Sequence, residues 1–418
     1  MIRNRLSVAV LALLVALTAL PAMGEIDKPY RMEIGDPARK TQKADLVLDA
    51  ITDTRTGELL SPAQLAEKLA DKRIVFMGES HTDIFFHRAQ FQVIEALQRA
   101  GREVLIGLEM YPYTKQELLD NWVAGRYTEE GFLEISQWYE AWGYHWDYYR
   151  SIFIFAREKG IPMYALNTPR EVIAAVRKQG FEELTEEQMA NMPPAVDTDN
   201  AEHMELFKAF FEDEDFHASM TDEQWQGMFD AQCTWDATFG NNALKALEKH
   251  PDSNAILVVL VGSGHVTYDL GIQRQIAQWE QVPMATVIPI SVVDGDGVTI
   301  AQVQASYADF LWGMPPVTDP IYPSLGISTR STGDEGQRTV IFIGEGSVGE
   351  KAGFQMADIL ISMDGNLIPN REALAILMSQ MRWGDTAAVE VQRGEEVVVL
   401  DVAFRRTLSG QSTANGRD

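Results

Sequence analysis

Two histidines follow short apolar runs in the same four-residue pattern, in which a glycine is followed by two residues and then the histidine. The first is Gly78-Glu79-Ser80-His81, and the second is Gly262-Ser263-Gly264-His265. In each, the glycine allows a sharp exit from a strand, so that the histidine lies over the edge of a sheet. Imidazoles with carboxylates nearby predict a site for divalent zinc, manganese or iron. They equally predict a metal-free site in which a carboxylate holds a histidine for general-base catalysis.

Polar residues also end two further apolar runs. Glu109 ends one of them, within Gly107-Leu108-Glu109-Met110, and Asn167 ends the other, within Ala165-Leu166-Asn167-Thr168-Pro169. Parallel α/β sheets carry their sites at the carboxyl ends of their strands. Four strand ends with polar residues therefore predict one shared site. The structural alternative is a set of strand caps that bind no ligand.

Two more groups of residues are candidates to line that site. His87 and Gln90 are three residues apart, so they share one face of the helix that follows the first motif. His87 either lines the cleft or is an exposed polar residue. The aromatic-rich stretch from Trp138 to Trp146 is interpreted either as core packing or as the wall of a site for a flat or apolar ligand.

The elements that must position these residues are predicted from the apolar pattern. Short runs rich in Val, Ile and Leu, without polar alternation, indicate strands that are buried on both faces. These runs are Arg73–Met77, Val104–Glu109, Met163–Leu166, Ala255–Val261 and Ala285–Ile288. Helices are predicted between them at Thr82–Ala100, Tyr148–Lys159, Pro169–Gln179 and Trp225–Leu247. The alternation predicts an α/β domain with a mostly parallel sheet flanked by helices.

The chain is predicted to contain two domains. The α/β domain is assigned to residues 25–315, and it ends at the proline-rich stretch that follows. An acidic helical insertion at residues 182–230 is either a solvated excursion, with His203 among its solvated residues, or a lid over the sheet. A smaller, β-rich domain is assigned to residues 322–406, and the polar tail at residues 407–418 is predicted to be disordered.

Residues 1–24 have the pattern of a cleaved signal peptide. Two arginines precede an apolar run that is too short to span a bilayer and ends at Pro21, and small residues precede Glu25. No cysteine lies near the cleavage site, so the mature chain is predicted to be periplasmic or secreted and not a lipoprotein. The formal net charge of −26 excludes a nucleic-acid partner, because phosphates would repel so acidic a chain.

The motifs of the first domain, in their order, resemble the ChaN-like haem-binding uptake family of the Tiki superfamily. The resemblance covers roughly residues 45–295 and includes both Gly-x-x-His motifs. Its other elements are His87 with Gln90, Leu108-Glu109-Met110, Trp142-Gly143, Ala165-Leu166-Asn167-Thr168-Pro169, and Gln232 with Asp236.

This resemblance implies two kinds of chemistry. ChaN-like proteins are iron-regulated proteins of the cell envelope associated with haem. Tiki relatives resemble metal-dependent peptidases, and the more distant erythromycin esterases activate water with similar residues. On the matching positions the resemblance implies Glu79, Glu109 and His81 as catalytic residues. It implies His81, His265 and Glu109 as metal ligands.

The resemblance also implies a ligand pocket, and its candidate residues are His87, Gln90, Asn167 and Trp142. The candidates for an axial ligand of haem are Tyr111, Tyr113 and His87, because tyrosine and histidine can each ligate haem iron.

The second domain resembles a bacterial PDZ domain. Ser324-Leu325-Gly326-Ile327 takes the position of the carboxylate-binding loop, a helix capped by Asn370 follows, and a hairpin around Gly394 closes the pattern. Ala357 stands where a glycine is usual. The resemblance implies that the C-terminal peptide of a partner protein adds as a strand beside Ile327. The alternative is a PDZ fold that only packs on its neighbour.

Three functions are consistent with these observations. The leading hypothesis is a periplasmic protein that binds haem or a divalent ion (iron, manganese or zinc), with a PDZ domain that recruits a partner through its C-terminal peptide. The second is a metal-dependent, peptidase-like hydrolase that uses the paired Gly-x-x-His motifs. The third is a non-catalytic scaffold of the cell envelope.

Overall fold

A computed structural model describes residues 26–190, 192–211, 220–294, 297–317, 320–332 and 336–406 of the chain. The predicted signal peptide at residues 1–24, the predicted tail at residues 407–418 and the acidic run at residues 212–215 lie outside the described residues.

The strands fall into two groups along the chain. Those of the first domain are β1 (Lys43–Asp45), β2 (Ile51–Asp53), β3 (Leu59–Leu60), β4 (Ile74–Glu79), β5 (Glu103–Pro112), β6 (Met163–Asn167), β7 (Ala255–Gly262), β8 (Met284–Ser291), β9 (Gln302–Gln304) and β10 (Phe310–Met314). Those of the second domain are β11 (Ile327–Thr332), β12 (Gln337–Ile343), β13 (Ile359–Met363), β14 (Asn366–Leu367), β15 (Thr386–Arg393) and β16 (Glu396–Ala403).

The helices alternate with these strands. They are α1 (Pro62–Lys68), α2 (Ile84–Arg99), α3 (Gln116–Val123), α4 (Glu129–Ser136), α5 (Trp138–Ala141), α6 (Arg150–Lys159), α7 (Arg170–Gln179), α8 (Glu186–Ala190), α9 (Ala201–Ala209), α10 (Asp222–Glu248), α11 (Ile272–Ala277), α12 (Val348–Ala352) and α13 (Arg371–Gln380). Among the described residues, no helix has the length and apolar character needed to cross a bilayer.

The main sheet places the ends of its parallel strands along one edge. Within the described residues it has eight strands in the order β3-β2-β10-β8-β4-β7-β5-β6. The strands from β10 to β6 pair in parallel, whereas β2 and β3 pair antiparallel at the other side. The predicted fold class, a mostly parallel sheet with helices followed by a small β-rich domain, is confirmed.

Both faces of this sheet are buried, which explains why its strands lack polar alternation. Successive residues of a strand point to opposite faces. In β4, Val75 and Met77 pack in one core, while Ile74 and Phe76 pack in the other. Helices α2 and α6 cover the first face, and α10 and α11 cover the second.

Some element boundaries differ from the sequence prediction for local reasons. Helix α2 begins at Ile84 and not at Thr82, because the Asp83 side chain accepts a hydrogen bond from the backbone N–H of Phe85 and so caps the helix. Strand β10, which was not predicted, lies inside the main sheet between β8 and β2. Its sequence contains Gly313 next to its last residue, which obscures the strand pattern.

The described part of the acidic insertion is only partly solvated: α8 has no buried residue, whereas α9 has several. Helix α9 packs its apolar residues against the first domain, and His203 on this helix is only 1% exposed. The prediction that His203 is solvated is therefore wrong. The physical reason is that α9 presents Leu206 and Phe207 beside it, and burial of this apolar face takes the imidazole with it.

The second domain has the features predicted for it. Within residues 320–332 and 336–406, its sheet has the order β11-β12-β13-β15-β16, with β14 paired to β13. Asn370 caps α13 by accepting a hydrogen bond from the backbone N–H of Ala373 at 3.0 Å. Strands β15 and β16 form the predicted hairpin at Gly394, whose φ is +62°. Because β11 lies at the end of this order, its outer edge is open to another strand.

The two domains pack through the segment that enters the second one. The ring of Tyr322 stacks on that of His145 at 3.5 Å, and its hydroxyl donates a hydrogen bond to Asp147. The same imidazole donates from Nε2 to the carbonyl oxygen of Ser379 on α13 at 2.9 Å. These contacts fix the face that α13 turns toward the first domain.

Candidate functional site

The two Gly-x-x-His motifs lie side by side. They follow β4 and β7, which are neighbouring parallel strands, and Glu79 is opposite Gly262 in their register. The Ser263 hydroxyl donates a hydrogen bond to the Glu79 carbonyl oxygen at 3.3 Å, which ties the two turns together. His81 and His265 both line one cavity of about 390 Å³ at this edge of the sheet.

Glu79 is a buried carboxylate that is surrounded by hydrogen-bond donors. Its Oε1 accepts from Nδ1 of His81 at 2.8 Å and from the Tyr149 hydroxyl at 2.6 Å, and the Gln90 amide donates to its Oε2. Burial opposes ionisation, but the charge of His87 and the bonds from His81 and Tyr149 lower its pKa to about 2. Glu79 therefore remains ionised and orients the His81 ring.

His81 has Nδ1 bonded to Glu79, and its Nε2 has no hydrogen-bond partner among the residues that the structure describes. Because Nδ1 donates to Glu79, Nε2 carries the lone pair of the neutral ring. Burial would lower its pKa, but the bond to Glu79 and the charges of Glu79 and Glu109 raise it overall. Ligand atoms of Glu79, His81 and Glu109 lie within 4.8 Å of one another.

Glu109 lies between the two motifs. It lies within a register shift of β5, and its Oε2 accepts a hydrogen bond from the backbone N–H of Gly262 at 2.7 Å. Its Oε1 lies 3.6 Å from Nε2 of His265. The amide of Asn167 donates to the Glu109 carbonyl oxygen at 2.7 Å, which fixes the backbone that carries this carboxylate.

His265 is oriented by a second buried carboxylate. Its Nδ1 lies 2.5 Å from Oδ1 of Asp236, which is on α10 and has no exposed surface. Burial opposes the charged form of the imidazole, but Asp236 and Glu109 raise its pKa overall. Burial also raises the pKa of Asp236. The His265 ring thus presents Nε2 toward Glu109. In both histidines, Nδ1 is the nitrogen that contacts a buried carboxylate.

Glycines make room for this arrangement at two positions. A β-carbon on Gly78 would lie 2.9 Å from the Ser263 hydroxyl, so a side chain there would push the two turns apart. A β-carbon on Gly271 would lie 2.0 Å from the carbonyl oxygen of His265. This second contact is too short for any side chain, so Gly271 determines where the backbone of His265 lies.

A second cavity meets the first at Glu109 and His265. It has a volume of about 510 Å³ and is lined by Trp142, Asn167 and Arg170 among others. The first cavity is lined on its other side by Phe207, Phe210 and Phe211 from the insertion. The carboxylate and the imidazole therefore lie at the junction of the two cavities.

The aromatic-rich stretch from Trp138 to Trp146 has both of its predicted roles. Trp138 and Trp146 are buried in the core with ring centroids 4.8 Å apart. Trp142 and Tyr144 instead surround His81, each with its ring centroid 4.7 Å from that of the imidazole. The two partly buried rings form a wall of the site.

Two predicted pocket residues lie beneath the site and not on its surface. His87 is 1% exposed, with Nδ1 3.0 Å from Oε1 of Gln90 and Nε2 3.2 Å from the carbonyl oxygen of His81. Gln90 has no exposed surface and bonds to Glu79. They support Glu79, whereas Asn167 and Trp142 do line a cavity.

The structure does not bring the three predicted haem ligands to the His81 cavity. Tyr111 lines the second cavity, but it is 1% exposed and its ring packs against Phe132 and Trp138 in the core. Tyr113 lines a different cavity beside Tyr164. Both nitrogens of His87 are already within hydrogen-bond distance of other groups.

Several residues of the site were not predicted from the sequence. The sequence motif contains Asp236 but does not predict its bond to His265. Tyr149, Tyr144 and the phenylalanines of the insertion are not part of any predicted site. A signal existed for Asp236, since it follows Gln232 by one helical turn, and Gln232 also reaches Nδ1 of His265 at 2.9 Å.

The predicted peptide-binding loop lies at the first domain. Ser324, Leu325, Gly326 and Ile327 line a cavity of about 920 Å³ together with α13. Tyr144 and Tyr148 of the first domain line the same cavity. The groove of the second domain is thus bounded on one side by the aromatic stretch that surrounds His81.

Comparisons with known proteins agree with this architecture. The family described as haem-binding uptake, Tiki superfamily, ChaN matches residues 65–276, and the PDZ domain family matches residues 323–404. A solved structure described as cofacial haem binding to ChaN of Campylobacter jejuni has 16% sequence identity and a TM-score of 0.50, and covers 63% of this chain and 95% of that one. At this identity the likeness shows the fold alone.

More remote likenesses cover parts of the chain. A mutant erythromycin esterase in its open conformation has 12% identity and a TM-score of 0.34, covering 63% of this chain and 82% of that one. RETICULATA-RELATED 5, a chloroplast protein of Arabidopsis thaliana, is 26% identical over 140 residues, which cover 31% of this chain and 18% of that protein. By its family match, the chain belongs to the ChaN family of haem-binding uptake proteins in the Tiki superfamily, and it carries a PDZ domain.

Proposed function

We propose that the chain is a metal-dependent hydrolase of the cell envelope, with its centre at His81, His265 and Glu109. The observation that carries this proposal is that two histidines near Glu109 are held in the same manner: His81 has ligand atoms within 4.8 Å of those of Glu79 and Glu109, and Nε2 of His265 lies 3.6 Å from Glu109. Each has its Nδ1 bonded to a buried carboxylate, Glu79 for one and Asp236 for the other. Histidines that ligate metals are held in this manner at the nitrogen that faces away from the ion.

The short distance between His265 and Glu109 favours a proton or a cation between them. In a neutral His265 ring, the proton is on Nδ1 and points at Asp236, so Nε2 carries a lone pair. This Nε2 lies 3.6 Å from Oε1 of Glu109, which also carries lone pairs. Two acceptors at this distance repel unless a proton or a cation lies between them. A divalent ion and a second proton on the imidazole are therefore competing occupants.

The donor set fits a divalent ion. Two imidazole nitrogens and one carboxylate are a common protein contribution to catalytic zinc and to non-haem iron. Glu79 is close enough to be a fourth ligand, but its oxygens already accept from His81, Tyr149 and Gln90, so we assign it an orienting role. An ion held here would lower the pKa of a bound water toward neutrality.

The remaining residues shape the substrate site. Trp142 and Tyr144 restrict access to His81, and the two cavities that meet at Glu109 give a substrate room on both sides of the centre. A carboxylate and two oriented imidazoles at such a junction can bind, orient and exchange protons with the groups of an ester or amide bond.

Metal analysis together with hydrolysis assays tests this proposal. Purified protein is expected to contain close to one equivalent of zinc, manganese or iron and to hydrolyse a short ester such as 4-nitrophenyl acetate. His81→Ala and His265→Ala are expected to lose both the ion and at least 100-fold in rate. His250→Ala changes a histidine that bonds to Glu103 and Tyr164 at the other end of the sheet, so it is the matched control. The proposal would be refuted if the purified protein contained no metal and both site variants hydrolysed the ester as fast as the wild type.

Haem binding is the second candidate function. Family membership favours it, as do the two rings that lie 4.7 Å from His81 and offer an aromatic wall to a flat ligand. Since Tyr111 is buried against the aromatic core, and Tyr113 and His87 do not line the cavities at Glu109, we assign the candidate axial position to Nε2 of His81. Titration with haemin is expected to give a shifted Soret band that His81→Ala abolishes. An unshifted haemin spectrum in the presence of wild-type protein would exclude this function.

We also propose that the mature protein is exported to the periplasm and that its PDZ domain recruits a partner by the partner's C-terminal peptide. The signal-peptide pattern at residues 1–24 and the open edge of β11 support these two statements. Mass spectrometry of the native protein is expected to find Glu25 at the amino terminus in the periplasmic fraction. A full-length chain in the cytoplasm would contradict export.

A further inference from the structure

We infer that the peptide groove of the PDZ domain leads into the catalytic cavity, so that the substrate is a polypeptide held by its own C-terminus. This inference rests on the proposed hydrolytic function and names its substrate class. Only a narrow ridge, formed by residues 139–143, separates the two spaces. Tyr139 and Gly143 line the groove, whereas Glu140, Ala141 and Trp142 line the cavity that contains Glu109 and His265.

The ends of α13 establish which way a bound peptide runs. Ser379, near the last turn, accepts a hydrogen bond from His145, which stacks on Tyr322 just before the loop at residues 324–326. A terminal carboxylate held by that loop is therefore at the Ser379 end of the helix. Residues farther from the carboxylate then lie toward Arg371, at the start of α13.

The Arg371 end of the groove is the end that meets the ridge. A β-carbon on Gly143 would lie 2.5 Å from Nη2 of Arg371, so the guanidinium packs directly on the ridge backbone. On the other side of the ridge, Arg170 donates a hydrogen bond to the carbonyl oxygen of Ala141 and lines the catalytic cavity. A peptide that leaves the groove at Arg371 thus arrives at the mouth of the cavity that contains Glu109.

The dimensions define which bond is presented. Arg371 and Ser379 are eight residues apart on a helix, which is about 12 Å at 1.5 Å per residue. An extended peptide covers this length with about four residues at roughly 3.3 Å each. The first four residues from the C-terminus therefore occupy the groove, and the bond that reaches Glu109 lies roughly five to eight residues from the end.

The step itself is hydrolysis of an amide. The C–N bond of the peptide breaks and the oxygen of one water molecule bonds to the carbonyl carbon. The two protons of that water end on the new carboxyl and amino groups, so no oxidant or other reactant is required.

Cleavage of peptides with free and blocked C-termini tests this inference. A random mixture of dodecapeptides with a free carboxylate is incubated with full-length protein, the same mixture is tested after C-terminal amidation, and 4-nitrophenyl acetate reports the hydrolytic centre alone. The expected result is release of C-terminal fragments of about five to eight residues, with at least a 10-fold slower reaction for the amidated mixture. Hydrolysis of the ester with equal, randomly placed cleavage of both mixtures would overturn the inference and leave the proposed function standing.

Photocrosslinking tests the path without requiring turnover. The same mixture with a benzophenone side chain at the sixth residue from the free carboxylate is crosslinked to full-length protein, and the adducts are located by mass spectrometry. Adducts within residues 109–112, 114–115 or 167–171, which line the catalytic cavity, are expected. Adducts found elsewhere would refute the path, even for a protein that hydrolyses the ester.

Discussion

Nδ1 of His265 lies 2.5 Å from Oδ1 of Asp236, although the two residues are on different elements and 29 positions apart. The carboxylate comes from the buried face of α10, and the imidazole from the turn that follows β7. The bond fixes the ring so that Nε2 faces Glu109. The orientation of one candidate ligand is thus set by a buried carboxylate on a different element of the fold.

Replacement of this carboxylate should weaken the centre without removing any ligand. Asp236→Asn is expected to lower metal affinity and ester hydrolysis by about 10- to 100-fold, because an outer-shell carboxylate orients the imidazole and raises its basicity. Isothermal titration with zinc and the ester assay measure both effects. Asp230→Asn is the matched control, since it makes the same change at a position of α10 whose side chain bonds only to Gln226 among the described contacts. Equal losses in both variants would contradict the assigned role.

The position of His265 also depends on a glycine that the sequence does not mark. Gly271→Ala is expected to destabilise the first domain by about 1–3 kcal/mol, because the new methyl group would overlap the carbonyl oxygen of His265. Hydrolysis should fall more than stability does, since the overlap displaces the catalytic turn. Thermal unfolding and the ester assay measure the two effects. Gly264→Ala, where the nearest atom is 3.9 Å away, should leave stability close to wild type.

The sequence was sufficient to predict which strands meet at the site. The apolar runs before Gly78 and Gly262 have no polar alternation, and this pattern indicates two strands of one buried parallel sheet, although it does not give their order. Polar residues at their ends then share one edge. The convergence of His81, Glu109 and His265 follows from these local patterns, because the sheet geometry is regular.

The contributions of helices and loops could not be read in the same manner. Asp236 and Tyr149 reach the histidines only because α10 and α6 dock at particular angles, which depend on side-chain packing across the sheet and not on local periodicity. The burial of Tyr111 could not be read from the sequence for a related reason. Within the register shift of β5, its ring turns into the aromatic core, and the sequence gives no sign of that turn.

The buried imidazole of His203 should make stability depend on pH. Burial, and then the charges of Arg274 and His265, lower its pKa to about 3, so it stays neutral in the folded protein while the unfolded chain binds a proton below pH 6.5. The contribution of the neutral His203 imidazole to the free energy of unfolding is therefore fully present above pH 6.5 and is lost as the pH falls below it. Relative to His203→Gln, the wild type should lose about 1.4 kcal/mol of unfolding free energy between pH 7.5 and pH 5.5.

Urea unfolding of both proteins at several pH values measures this difference. His250→Gln is the control, because it changes a partly exposed histidine at the other end of the sheet. A constant difference between the wild type and His203→Gln over this range would show that the His203 imidazole is protonated in the folded state.

One turn of the PDZ domain holds a strained residue. Ala357 has a φ of +70°, a conformation that costs an L-residue about 1–2 kcal/mol and that glycine adopts freely. Ala357→Gly is expected to stabilise this domain by roughly 0.5–1 kcal/mol after the entropy cost of glycine is subtracted. Hydrogen exchange of the β13 amides in the full-length protein measures the change. Ala352→Gly, at a helical position of α12, should destabilise the domain instead.

The charge of Arg371 should influence which peptides the groove accepts. This residue begins α13, lines the groove and lies beside Gly143 at the ridge, and Arg338 lines the same end. A peptide with glutamate at the fourth residue from its carboxyl end should therefore bind about 2- to 5-fold more tightly than one with glutamine, the range of an exposed ion pair. Because such a pair is screened by salt, the preference should vanish at 0.5 M sodium chloride. Fluorescence anisotropy with labelled peptide mixtures that differ only at this residue measures the ratio.

Arg371→Glu should reverse the preference, whereas Arg405→Glu, which changes an exposed residue outside the groove, should preserve it. A preference that is unaffected by Arg371→Glu would place the acidic residue of the peptide elsewhere, and the direction inferred for the bound chain would then be wrong.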